Sequence, residues 1–501
     1  MEKKRLLVNA VMTVVQTVVS GLALFFLYRF LLRVIGIEQL GIWSLILATA
    51  SVSQIATFGL SGSIVKYVAK YVAREESKKV SALIQTAALS VGLFTGMLLA
   101  VGYPVVRWIL TMILPPQSLG MAYLILPYAF VSFWIMMLTG IFQAGLDGFQ
   151  RIDLRSSLLM AGALIQLFSC MLLAPKHGLL GVAYASIVQN LAIFLASWVF
   201  IRKRLPALPL VPCHWNRDLF KEIIAYGMKF QLISFLSMFY DPLTKALMSR
   251  YGGLSLVGYY EMASKMIYKL RELISSANQT LVPAIAHLHE RTPERIESVY
   301  LVSRELVLYL SLPLYSLIVI MAPAVSWLWI GHYERPFVVF CLVLSVGWLV
   351  NTLNIPAHVT YLGIGELNWV LIGHVLVAFF NTALGFSLGI LFSGLGVAIA
   401  RSLALMIGST VTSLSLFKKI RMPVRFFITR GQRTLSWVCL GTCVLMLSVR
   451  AVFRAHFDAP KAEILPILLS GAAIFIPAWM NPMRKRLVGW VLSEFAGPWS
   501  R

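Results

Sequence analysis

The chain has 501 residues, is 59% hydrophobic and only 13% charged, and carries a net charge of +23. With a mean hydropathy of +0.81, it has too little polar surface to fold as a water-soluble globule. In a soluble protein that charge would suggest nucleic acid, but here the basic residues gather in alternate loops, so no nucleic-acid partner is expected.

Apolar runs of about 20 residues can cross roughly 30 Å of hydrocarbon as helices. Only helices and closed barrels satisfy their backbone there, so the expected fold is an all-α polytopic membrane protein. The first run follows Met1-Glu2-Lys3-Lys4-Arg5 and continues past residue 30, which reads as an uncleaved helix rather than a signal peptide. Fourteen spans are predicted, at roughly 7–33, 40–65, 81–104, 119–146, 157–174, 179–201, 222–246, 254–282, 301–324, 337–361, 368–392, 394–417, 434–454 and 463–481. Clusters such as Lys3-Lys4-Arg5, Arg202-Lys203-Arg204 and Lys418-Lys419 fall on one side of that topology, placing both termini in the cytoplasm.

Taken in order, the spans differ in what they carry. The first shows Asn9, Thr13, Gln16 and Ser20 on one face, with Arg29 and Arg33 off it and reaching for the interface. The second ends in Lys66, Lys70 and Arg74, either an anchoring basic face or a capture point for an anionic head group. The seventh carries Gln231, Ser234, Ser237, Asp241 and Lys245, and Pro242 breaks its hydrogen-bond ladder.

The eighth span places Glu261, Lys265, Tyr268, Lys269, Glu272, Ser276 and Gln279 in one stripe, with Arg271 and Asn278 outside it. A charge at the bilayer centre costs about 2.5–3.5 kcal/mol even on the lenient insertion scale, so such a stripe faces water or protein. It either neutralises itself in ladder pairs or forms one wall of a water-filled cavity. Arg401, well inside the twelfth span, either lines that cavity or pairs with an acid.

The chain also repeats itself. Arg33-Val34-Ile35-Gly36 through Gly41 returns as Arg250-Tyr251-Gly252-Gly253 through Gly258, an offset of 217 residues. Gly181-Val182-Ala183 returns as Gly396-Val397-Ala398, and Gly148 pairs with Gly365. The repeat predicts two parallel six-helix lobes, 1–210 and 211–420, with 421–501 holding a basic linker, two extra spans and a tail.

Several chemistries lack their motifs. Cys170, Cys213, Cys341, Cys439 and Cys443 have neither metal nor disulfide spacing, the histidines lack ligand spacing, and no phosphate-binding glycine loop occurs. No outer loop is long enough to fold as a catalytic domain, so neither an enzyme, a metal nor a cofactor is expected.

These elements resemble the multidrug/oligosaccharidyl-lipid/polysaccharide exporter superfamily, in particular its polysaccharide-transporter branch of Wzx-type flippases. The carriers are Arg33-x-x-Gly36-x-Glu38-x-x-Gly41, Phe58-Gly59-Leu60, Gln143-Ala144-Gly145-Leu146-Asp147-Gly148 and Val257-Gly258-Tyr259-Tyr260-x-x-Ala263. Thr57 stands where the family often has an acid. The resemblance implies a V-shaped pair of lobes around a cationic cavity, alternating access, and an oligosaccharide on polyprenyl pyrophosphate as substrate. It also implies a bacterial or archaeal plasma (inner) membrane and a possible polysaccharide polymerase as partner.

The expected assignment is Lys245, Lys265, Lys269 and Arg401 for the pyrophosphate, and Gln16, Gln231, Tyr268 and Gln279 for the polar wall. Asp241 and Glu261 are the candidates for ion coupling. The alternatives are a cation-coupled antiporter of the same superfamily, or an integral-membrane polysaccharide polymerase. The antiporter branch commonly uses an acid in its first helix, and residues 6–37 contain none.

Overall fold

Leu, Ile, Val and Phe dominate every long segment, and the backbone answers by closing its hydrogen bonds locally. A computed structural model describes residues 2–51, 60–224, 238–279, 281–420, 430–452 and 464–485. Among them, no strand occurs. Nine of these helices are long and apolar enough to cross a membrane, and the shorter Pro466–Met480 is apolar too. The protein is therefore all-α and polytopic. Gln231, Ser234, Ser237, Phe58 and Gly59 lie outside the described residues, as do the side chains of Ser276 and Gln279.

Two compact units form, one of residues 1–261 with 386–397, the other of 262–385 with 398–501. The first holds α1 (Glu2–Val34), α2 (Gly36–Ser51), α3 (Leu60–Ala73), α4 (Ser77–Ile113), α5 (Pro116–Gly148), α6 (Ile152–His177), α7 (Leu179–Arg204), α8 (Tyr240–Gly252) and the start of α9 (Leu254–Gln279). The second holds the rest of α9, then α10 (Leu281–Arg291), α11 (Ile296–Trp329), α12 (Arg335–Leu353) and α13 (Ile355–Ile364). Most of α14 (Asn368–Lys419), α15 (Arg430–Val452) and α16 (Ile464–Met480) complete it.

In the first unit Val68, Leu83, Ile84, Phe142 and Ile201 close one core. In the second, Ile274, Ile285, Val307 and Val359 form another, and Ile320, Leu435, Cys439 and Ile474 bind α15 and α16 to α11. Cys439 is thus a small residue facing a helix.

The backbone reproduces the sequence repeat in detail. The α6–α7 turn uses Gly178 at φ +57°, ψ −133°, and the kink within α14 uses Ser393 at φ +56°, ψ −144°. Three residues on, Gly181 and Gly396 each press against a carbonyl eight residues back, of Leu173 and Leu388, where no Cβ would fit. Ser393 holds a conformation that a side chain rarely adopts, and its hydroxyl donates to the Tyr251 carbonyl.

One sequence pairing shifts. Gly148 packs on Val68 and the Val65 carbonyl, and the same contact on Ile285 and the Val282 carbonyl belongs to Gly363, not Gly365. Gly365 is the left-handed turn residue, matching Gln150 at φ +56°.

The stretches that began the repeat meet each other. A Cβ on Gly41 would strike the Leu254 carbonyl, and one on Gly258 would lie 2.6 Å from the Ile37 carbonyl. Glu38 and Ser255, between those pairs, join at 3.4 Å. The two copies therefore make the same contact reciprocally, and glycine is needed on both sides because the backbones nearly touch.

Candidate functional site

Among the described residues, each unit holds a polar cluster that includes residues singled out in the sequence. In the first unit, Asp241 and Lys245 stand one turn apart on α8, and Glu261 comes from α9. Lys245 Nζ lies 2.6 Å from Asp241 Oδ2 and 2.8 Å from Glu261 Oε2, with the lysine only 2% exposed. The Tyr28 hydroxyl of α1 donates to Glu261 Oε1 at 3.2 Å. Removing one member of a buried ion pair costs about 3–5 kcal/mol, so this group ties α1, α8 and α9 together. The lysine's charge is matched by carboxylates on both sides.

The second cluster is built where α9, α12, α13 and α14 converge. Gly347 permits the approach: a Cβ there would lie 2.7 Å from Ser402 Cα, and Ser402 donates to the Val343 carbonyl at 2.8 Å. That crossing puts Arg401 beside Trp348, its guanidinium 5.9 Å from the indole centroid and the residue buried. Arg271 reaches the same indole at 5.5 Å and donates from Nε to Asn351 Oδ1 at 2.8 Å. Tyr268 meets Trp348 edge-on at 5.7 Å. A guanidinium on an aromatic face gains about 0.5–2 kcal/mol and keeps its full charge.

Neutral polar groups lie beside Arg271. Asn351 donates to Ser409 Oγ at 2.9 Å, and Ser413 donates to Asn354 at 2.8 Å. The His358 and His374 rings are 6.3 Å apart. Both histidines line a small cavity of about 30 Å³ with Asn351, Asn354 and Ser409. Arg271 makes no ion pair among the described residues. Such a site suits a multiply charged anion with neutral, hydroxyl-rich groups attached.

Of the residues singled out in the sequence, Tyr268 and Arg401 share this cluster through Trp348. Lys269 pairs with Glu272 at 2.7 Å, Lys265 is exposed, and Gln16 is half-buried on α1. Lys245, Asp241 and Glu261 meet in the first cluster. Sequence reasoning missed Arg271, Trp348, Asn351 and Tyr28. Arg271 carried the necessary signal, an arginine within an apolar span, but it falls off the charged stripe. Trp348 was unreadable because a tryptophan in a span has many uses.

The polytopic helical fold is one that membrane transporters of known structure share. An inward-facing multidrug resistance MATE family transporter of the MOP superfamily aligns over 82% of this chain and 98% of its own, with 15% identity and a TM-score of 0.67. The lipid II flippase MurJ in its inward closed conformation aligns over 94% of this chain and 100% of its own, at 13% identity and a TM-score of 0.66. A MOP superfamily transporter from Pyrococcus furiosus covers 84% of this chain and 96% of its own, at 15% identity and a TM-score of 0.61. These likenesses establish the fold. No curated protein matches the sequence. The profile of the family described as Polysaccharide biosynthesis protein matches residues 6–289, over half of the chain, and the protein belongs to that family.

Proposed function

We propose that this protein is a flippase that moves a polyprenyl-pyrophosphate-linked oligosaccharide, a repeat unit of O-antigen, capsule or exopolysaccharide, from the inner to the outer leaflet by alternating access. The observation that carries the reading is the pair Arg271 and Arg401 on one indole, amid amides and hydroxyls. A diphosphate in an apolar setting needs paired positive charge, and guanidinium forks match its oxygens. Membership of a polysaccharide biosynthesis family supports a sugar-bearing substrate, and the fold shared with a lipid II flippase supports a lipid carrier.

In this reading the pyrophosphate meets Arg271 and Arg401, with Lys265 and Lys269 on the approach. Tyr268, Gln16, Gln231 and Gln279 meet sugar hydroxyls, and the Asp241–Lys245–Glu261 group couples an ion to the cycle. The working parts are the repeat lobes 1–210 and 211–420, with 421–501 appended, in a plasma (inner) membrane with both termini cytoplasmic. A polysaccharide polymerase takes the product, and the protein itself performs no bond chemistry.

The test is Arg271→Ala combined with Arg401→Ala in cells that need the exported polymer. Each lost charged hydrogen bond is worth about 1.5–3 kcal/mol, or roughly tenfold or more in rate if made in the transport transition state. Surface polymer should collapse while the lipid-linked intermediate accumulates inside, at unchanged protein level. Normal surface polymer would sink the cationic-site reading, and export of organic cations by the wild type would favour the antiporter.

A further inference from the structure

A single face of α4 carries two cavities, and one stretch of chain crosses between them. Lys78, Ala82, Gln85, Leu89 and Gly92 recur at three- and four-residue intervals and so lie in one row. The polar end of the row opens on a cavity of about 530 Å³ whose wall holds Tyr71, Lys78, Lys79, His214 and Asp218. The apolar end opens on one of about 590 Å³, lined by Leu89, Leu93, Trp134, Phe142, Trp198 and Leu210.

Residues 207–216 form the strap across α4, and its fastening is specific. Ser81 donates to the Ala207 carbonyl at 2.8 Å, while Gln85 Oε1 accepts the Cys213 and His214 amides at 3.2 and 3.1 Å. Thr86 accepts the Asn216 amide at 3.1 Å, and the Trp215 indole donates to Ser90 at 3.0 Å. Donors that a surface loop would leave to water are here committed to α4.

The polar cavity has two lysines against one carboxylate. Lys79 also pairs with Glu76 at 2.9 Å, whereas Lys78 is exposed and makes no ion pair among the described residues. These lysines stand where the apolar row ends, which is where a bilayer presents its head groups. Leu93 on α4 and Leu210 on the strap are each 63% exposed, an apolar surface that water would disfavour. Polarity along the row therefore runs in the same order as along a phospholipid.

We propose that this is a binding site for an anionic phospholipid of the surrounding bilayer. Its phosphate sits at Lys78 and Lys79, and an acyl chain occupies the Leu89–Leu93–Trp134 groove. A zwitterionic lipid lacks the net charge for the polar end, and soluble phosphate lacks the chain for the groove. The strap joins the first repeat to the second, so the lipid bears on the segment linking them.

The experiment is native mass spectrometry of the full chain in neutral detergent, titrated with phosphatidylglycerol, phosphatidylcholine or inorganic phosphate. Phosphatidylglycerol should bind about tenfold more tightly than phosphatidylcholine, from about fivefold per basic residue at an anionic surface less the partial pairing of Lys79. Lys78→Gln with Lys79→Gln should abolish that preference, Lys78→Arg with Lys79→Arg should keep it, and Leu93→Trp should weaken both lipids by filling the groove. Equal binding of the two lipids by the wild type overturns the proposal. So does a preference untouched by the glutamine pair, displacement by phosphate alone, or retention of a polyprenyl phosphate ahead of phosphatidylglycerol.

Discussion

Lys245 and Arg271 are both cations set among apolar helices, but they are held in opposite ways. Lys245 is gripped by two carboxylates at 2.6 and 2.8 Å, one of them fixed in turn by Tyr28. Arg271 rests on an indole face and an amide oxygen, both neutral. An ion pair cancels charge and holds helices together, whereas an aromatic and amide cradle positions a charge and leaves it in force. The first cluster joins α1, α8 and α9, and the second holds the charge to which the proposed function assigns the pyrophosphate.

The largest effect should come from breaking the ion group. Lys245→Ala leaves Glu261 and Asp241 facing each other and should destabilise the first unit by about 3–5 kcal/mol in denaturation of the detergent-solubilised protein. Lys245→Met with Glu261→Met should recover most of that loss, because apolar replacements of a buried pair are often neutral or better. Failure of the double variant to recover would mean that the group is more than a neutralised pair.

Tyr28→Phe removes only the hydroxyl that steadies Glu261, a hydrogen bond to a charged group worth about 1.5–3 kcal/mol, and the same measurement reads it. The smallest change in stability should come from Arg271→Gln, which keeps an amide donor for Asn351 and gives up the cation–π contact, about 0.5–2 kcal/mol. Its loss of polysaccharide export should nonetheless be severe. A large stability loss with intact export would reverse the contrast between the two clusters.

Much of the fold was legible because it rests on local signals. Apolar length announced the all-α polytopic class, and the recurring Arg33 and Arg250 stretches pointed to the contact that Gly41 and Gly258 make. The structure sharpened what those stretches do. Gly36 and Gly253 are turn residues at φ +79° and +82°, while Gly41 and Gly258 are where the two copies touch. The pairing of Gly148 with Gly365 was two residues out because a glycine can serve a turn or a close contact, and the letter does not say which.

The sites were less legible. A helical wheel grouped Glu261, Lys265, Lys269 and Glu272 by angle alone, but the partners that decide their roles come from other helices. Glu261 turns to α1 and α8, Lys269 stays with Glu272 on its own helix, and Tyr268 turns to Trp348 on α12. Arg271, off the stripe by that angle, joined the cluster through Asn351.

By itself the sequence determined the class, the helices and their repetition, since hydropathy and backbone sterics act within a few residues. Only the tertiary structure decided which partners each cation meets. That choice depends on helix crossings such as Gly347 on Ser402, where the absence of one side chain brings two backbones close enough for Arg401 to reach Trp348.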